Sequence, residues 1–206
     1  MSIDALTSAS AVDQEVLERL FTDAHTASVF AETPIEDEVL EHLHALTRMP
    51  PTAMNIQPLR IVWVRSAEGQ ERLASFMNEN NSAKTAAAPL VAVLAYDLNW
   101  HEHLATLAPF RLEAKDSFAA NEPLRSGMAT LSAHMQAGYF LLAARTLGLD
   151  VGPMTGFDAA GIDREFLSEQ GWRSFAVVNL GYPAADGAGY RPRGGRLGFD
   201  EQTLTV

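Results

Sequence analysis

The stretch Pro50-Pro51-Thr52-Ala53-Met54-Asn55-Ile56-Gln57-Pro58-Leu59-Arg60 runs straight into Ile61-Val62-Trp63-Val64, a stiff polar loop feeding an apolar strand. Proline fixes its own φ and pushes the preceding residue toward extended geometry, so Met49, Pro50 and Gln57 are steered away from helix. A loop stiffened in this way can aim amides and hydroxyls before anything binds it. Its bland role is to end one helix and start one strand. Its chemical role rests on Thr52, Asn55 and Gln57, which offer donors and acceptors to the edge of a flat heterocycle, with Pro51 and Met54 against its face.

Working outward, Val12 to Asp23 and Glu36 to Thr47 carry apolar residues at helical spacing, and Thr33-Pro34 marks the start of the second helix. Strands are expected over Arg60 to Arg65, Leu90 to Tyr96 and Ser174 to Leu180, with a helix over Ala67 to Asn78 between the first two. This alternation points to an α/β or α+β domain whose sheet is covered on both faces. Glu122 to Leu147 is the most strongly periodic element. Leu124, Met128, Leu131, Met135, Gly138, Tyr139 and Leu142 form one stripe, and Gly148 supplies the stop. Such a helix is either central to the core or shared with a second subunit. Pro109 to Pro123 reads as a loop. Gly152-Pro153-Met154-Thr155-Gly156-Phe157-Asp158 reads as a turn that lets backbone N–H groups approach a ligand, and it ends in an N-cap for a helix over Ala159 to Leu167.

The 206 residues, 47% of them apolar, fit one domain over 1–206, with 1–12 as a flexible N-terminus and 183–206 as a C-terminal extension. A formal charge of -11 disfavours nucleic acid and anionic membrane as partners. The absence of cysteine excludes disulfides, thiolate metal sites and cysteine nucleophiles. Met1-Ser2-Ile3-Asp4 lacks the basic start of a secretory signal, and the longest apolar run, Ala86 to Tyr96, is too short to span a bilayer, so a cytoplasmic protein is expected. The pairs His42-x-His44 and His101-x-His103 are poor chelators without further ligands, and no metal is expected. No G-x-S-x-G elbow, P-loop or post-strand G-x-G-x-x-G is present, which removes the commonest α/β enzyme classes. Against this acidic background, Arg191-Pro192-Arg193-Gly194-Gly195-Arg196 stands out as a local anion-binding cluster.

Taken together, the segments from Phe21 to about Glu201 resemble the nitroreductase family, FMN-dependent NAD(P)H oxidoreductases. Leu20-Phe21-Thr22-Asp23-Ala24, Pro51 to Asn55, Leu147 to Asp158 and Asn179-Leu180-Gly181-Tyr182 are closest in wording to its malonic semialdehyde reductases. The resemblance implies an α+β fold of three layers, with a mostly antiparallel central sheet flanked by helices. It also implies a homodimer with the long helix at its interface and FMN bound there. Carried over, Thr52, Asn55 and Gln57 would edge the flavin with Pro51 also in contact with it, and the backbone of Thr155 and Gly156 would face its N5. Arg193 and Arg196 would reach the phosphate. His25, Thr26 and Ser28 fall in the family's N-terminal phosphate motif, where His25 and Ser28 replace two arginines. The implied chemistry is ping-pong hydride transfer from NADH or NADPH to a small electrophile: malonic semialdehyde, giving 3-hydroxypropionate, or a nitroaromatic or quinone. Arg111 or Lys115 is expected to hold a substrate carboxylate. Two rival readings stay open: a flavin-binding module without turnover, and a cofactor-free structural protein.

Overall fold

Leu90, Ala92 and Leu94 alternate with Val91 and Val93 along one strand, and all five are buried, so that strand needs cover on both faces. The computed structural model, which describes residues 12–206, supplies it. Four strands, β1 (Leu59–Val64), β2 (Leu90–Asp97), β3 (Asp150–Met154) and β4 (Trp172–Gly181), form one sheet in the order β1-β2-β4-β3. Every pairing in it is antiparallel. Around it run α1 (Gln14–Leu17, continued by a π turn over Glu18–Thr22), α2 (Asp37–Thr47), α3 (Ala67–Ala74), α4 (Glu79–Ala86) and α5 (Leu104–Leu107). They are followed by α6 (Lys115–Ala119), α7 (Glu122–Thr146), α8 (Ala159–Phe166) and α9 (Phe199–Gln202).

On one face Leu90, Ala92, Leu94, Val178 and Leu180 meet Leu40 and Leu43 of α2 and Ala133, Phe140 and Ala144 of α7. On the other, Val91, Val93 and Val177 meet Leu73 and Met77 around α3 and Ile162 of α8. The result is the expected α+β arrangement of three layers. Side-chain caps fix where three helices begin: Ser66 accepts from the Gly69 amide, Asn121 from Leu124 and Asp158 from Gly161. Gly148, at φ 82, closes α7.

Several expectations need correction. Gly152 to Met154, read as the start of a turn, belong instead to the edge strand Asp150–Met154 paired on β4. The helix expected over Ala67 to Asn78 stops at Ala74, and the polar run Glu79–Ala86 forms its own helix. Pro109 to Pro123 is largely helical, as a 3-10 turn over Pro109–Ala114 followed by α6. The second helix begins beyond Glu36 rather than at Thr33-Pro34. The apolar stripe of α7 faces outward: Leu131 is 69% exposed and Leu124, Met135 and Tyr139 are each close to half exposed. Its buried face is built instead from Ala129, Ser132, Ala133, Gln136, Phe140, Ala143 and Ala144, small enough in the main to bring the helix close to the sheet. The segment expected to be a flexible N-terminus lies, except for Val12, outside the described residues.

Phe140 is fully buried, with its ring 6.1 Å from that of Trp63. Phe140→Ala is expected to lower stability by about 3–5 kcal/mol, read as a lower denaturation midpoint in urea with an unchanged slope.

Candidate active site

The site begins at Gly152. A Cβ there would lie 2.5 Å from the Ala27 carbonyl oxygen, and the missing side chain lets the segment around Ala27 lie directly on β3. The Ala27 amide donates to the Val151 carbonyl at 3.0 Å, and Thr26 forms a parallel bridge with Val151. Beyond β3 the chain continues through Thr155 to Gly156, whose carbonyl accepts from the Asn78 amide at 3.0 Å and from Asn81 Nδ2 at 3.2 Å. Those bonds bring α4 alongside, with Lys84 Nζ 3.4 Å from Asn81 Oδ1.

The C-terminal tail returns to close this region. Ser28 Oγ donates to the Gly189 carbonyl at 2.8 Å, and the His25 and Tyr190 rings stack at 4.9 Å with a 10° tilt. Tyr190 donates its hydroxyl proton to Asp150 Oδ2 at 2.5 Å, and Arg193 Nη2 donates to the Thr22 and Ala24 carbonyls at 2.6 and 2.7 Å. Segments more than a hundred residues apart in sequence thereby frame one cavity of about 880 Å³.

Among the expected residues, His25, Thr26, Ser28, Thr155, Gly156, Arg193 and Arg196 all line this cavity. So do Asn81, Lys84, Arg145 and Asn179, which the sequence reading did not single out. Asn81 and Lys84 stand three residues apart on one helix, a spacing that puts both on one face and could have flagged them. Among the described residues, Lys84, Arg145, Arg191, Arg193 and Arg196 put five cations around the cavity and no carboxylate lines it. Burial lowers the proton affinity of Arg145, an effect opposed by nearby Asp150. Asn179 is buried and donates through Nδ2 to the Lys84 carbonyl, while its Oδ1 has no partner among the described residues. An unpartnered buried acceptor costs free energy that a ligand donor would recover. The donor set fits a phosphorylated, flat heterocycle: cations for the phosphate, and backbone and carboxamide groups for polar ring edges.

Pro51, Thr52, Asn55 and Gln57 do not line this cavity. They form a tight turn of their own, in which the Gln57 amide donates to Thr52 Oγ1 at 3.2 Å and Gln57 Nε2 to Asn55 Oδ1 at 2.9 Å. Met54, Asn55 and Gln57 have φ values of 53°, 60° and 40°. Left-handed backbone outside glycine is held only where the surroundings impose it, and it gathers at functional sites. The turn is anchored to the 100–120 segment. Asn55 Nδ2 donates to the Leu107 carbonyl at 2.8 Å, and Ile56 is buried among Trp100, Leu104, Ala108 and Ala129. Arg111 and Lys115 stand on that same segment, away from the 880 Å³ cavity. Arg111 is exposed, whereas Lys115 Nζ pairs with Glu102 at 2.5 Å and holds that carboxyl below its usual range. Among the described residues, no group of three or more His, Asp or Glu could hold a metal ion, and no helix is long and apolar enough to cross a membrane.

The Tyr190 phenol is pushed up from its ordinary value of 10 to about 12, first by burial and then by its bond to Asp150. A raised acid favours the folded state fully below the unfolded value and loses that contribution as pH rises through the folded one. One tyrosine is therefore expected to ionise late in a phenolate absorbance titration, and stability should fall between pH 10 and about 12. Tyr190→Phe should abolish the late step.

The family model described as the Nitroreductase family matches residues 25–182. A relative from Leptothrix cholodnii with the provisional name NADH dehydrogenase/NAD(P)H nitroreductase is 47% identical over 190 residues, which are 92% of this chain and 95% of the relative. Among solved structures, a nitroreductase family protein from Streptococcus pneumoniae superposes with a TM-score of 0.78 at 19% identity, covering 93% of this chain and 98% of its own. A provisionally named nitroreductase from Exiguobacterium sibiricum, solved in complex with FMN, gives 0.77 at 16% identity over 96% and 99% of the two chains. At such identities the structural likenesses speak to the fold, and the sequence matches carry the membership. This chain belongs to the nitroreductase family.

Proposed function

We propose that this chain is an NAD(P)H oxidoreductase of nitroreductase type that uses FMN and acts as a homodimer. FMN with an NAD(P)H reductant is the cofactor pair of this family. The observation that carries the reading here is the cavity itself, lined among the described residues by five cations and no carboxylate in a chain whose formal charge is -11. Lys84, Arg145, Arg191, Arg193 and Arg196 would hold the phosphate end, with Thr26 and Ser28 beside them. They offset the two arginines that His25 and Ser28 replace. Asn81, Asn179 and the backbone of Thr155 and Gly156 would meet the ring. Bound FMN supplies reversible hydride acceptance, and the chain supplies position and field.

Two features support the homodimer. The Asn55 turn and the cationic cavity are separate half-sites within one chain, and each is completed if a second copy brings its turn to the other's cavity. The outward stripe of Leu124, Leu131, Met135 and Tyr139 on α7 offers the apolar surface for such a contact. As acceptor we propose a small electrophile: malonic semialdehyde, reduced to 3-hydroxypropionate, ahead of nitroaromatics and quinones. Its support is the wording of the motifs around Phe21, Asn55 and Gly156. Arg111, on the segment joined to the Asn55 turn, is a cation suited to a substrate carboxylate, while Lys115 is engaged by Glu102.

The purified protein, supplied with FMN, should show a flavin spectrum that bleaches under NADH or NADPH without oxygen and recovers on adding the acceptor. A bound flavin that never bleaches would identify a binding module without turnover. Lys84→Ala should raise the FMN dissociation constant about 10- to 100-fold, the loss of one charge-assisted bond.

Mixing Lys84→Ala and Asn55→Ala subunits tests the shared site. If the half-sites come from different copies, the mixed dimer holds one intact site and recovers flavin binding that neither parent shows. No recovery would place both halves in one chain.

A further inference from the structure

Three non-glycine residues of the Asn55 turn are kept at positive φ, and its internal bonds from Gln57 to Thr52 and Asn55 are joined by a further tie from beside it. Arg60 lies three residues beyond Gln57. Its Nη1 donates to the carbonyls of Gln57 and Leu59, each at 2.9 Å, and its Nη2 meets Asp97 Oδ2 at 2.6 Å. Asp97 is 3% exposed, and its other oxygen accepts from the Asn99 amide at 2.7 Å. The Asp97 amide in turn donates to the Pro58 carbonyl at 2.9 Å, and the Arg60 guanidinium lies over the Trp172 ring at 5.9 Å. His103 Nε2 approaches Asp97 Oδ2 at 3.7 Å from the segment that Asn55 grips through Leu107.

We propose that Arg60, held by buried Asp97 and by Trp172, is a positioning residue that clamps the strained Asn55–Gln57 turn in the shape in which it meets the flavin. The fork of the guanidinium is what the task requires: one arm is neutralised by Asp97 while the other reaches two main-chain carbonyls. A lysine could keep the ion pair but could not hold the fork. Arg60 touches neither the cationic cavity nor its lining, so its effect on the reaction passes through Gln57 and Asn55. In assigning the turn to a flavin the inference rests on the function proposed above, whereas the clamp stands on this chain's own contacts.

Amide hydrogen exchange across the whole protein tests the clamp without any cofactor. In Arg60→Met and Arg60→Lys the amides of Asn55, Ile56 and Gln57 should exchange about tenfold faster or more, while those of α3 and α8 keep their protection. Asp97→Asn should move the same amides, and Arg65→Met, which alters an arginine paired with Asp37 at 2.7 Å, should leave them unchanged. Turn amides that do not respond to Arg60→Met, or a rise spread evenly through β1 and β2, would overturn the clamp. With FMN bound, Arg60→Lys should shift the visible flavin band and lower kcat about tenfold with the KM for NAD(P)H nearly unchanged. A faster-exchanging turn with an unaltered band and kcat would overturn the positioning role. A wild-type protein that takes up no flavin would count against the proposed function, and the exchange data would still decide the clamp.

Discussion

Only a glycine at position 152 allows the Ala27 carbonyl to come where a Cβ would otherwise sit 2.5 Å away, and the architecture of the cavity depends on that approach. With it, Ala27 bonds to Val151, and His25, Thr26 and Ser28 are set along the edge of β3. Ser28 and His25 then give the returning tail two points of attachment at Gly189 and Tyr190. A side chain at 152 would force the N-terminal segment outward and separate the tail's arginines from Lys84 and Asn81. The cost would fall on the assembly of the cavity more than on the core, because the layers are held by β2, β4, α2, α7 and α8.

The electrostatics follow from the same geometry. A chain with a formal charge of -11 repels anions from most of its surface, so an anion is held only where cations are gathered and carboxylates kept away. Asp150 stands close to the site, where its Oδ2 accepts from Tyr190 and its charge acts on Arg145. Arg193 divides its work, since Nη2 is taken by the Thr22 and Ala24 carbonyls. The same arginine thus fastens the tail and lines the cavity.

Strands β1, β2 and β4 were legible because each holds a run of at least four consecutive β-branched and other apolar residues. Strand β3 was not, because Gly152 and Pro153 are turn residues in most contexts and an edge strand needs pairing on only one side. Helix α4 was hidden by its composition: Glu79 to Thr85 has no apolar face, and the helix is held by polar contacts such as Asn81 to Gly156 and Ser82 to Ala74. The stripe on α7 was read correctly as periodic, but periodicity alone cannot say whether a stripe meets the sheet or points away from it. In the site, residues within recognisable motifs could be placed in advance. Arg145 and Asn179 lie on regular elements and reach the cavity only through the fold, so no local signal marks them.

Pro153 sits on β3, the edge strand, two residues beyond the carbonyl of Val151 that receives the Ala27 amide. Along a strand, main-chain groups two residues apart point the same way, so the N–H that would have faced outward at position 153 is the one proline lacks. The ladder that Thr26 and Ala27 begin therefore cannot be carried on toward Thr155. A stray strand from another molecule meets a gap in the donor row at a residue that also lines the cavity. The proline thus blunts this edge of the sheet against pairing with another molecule.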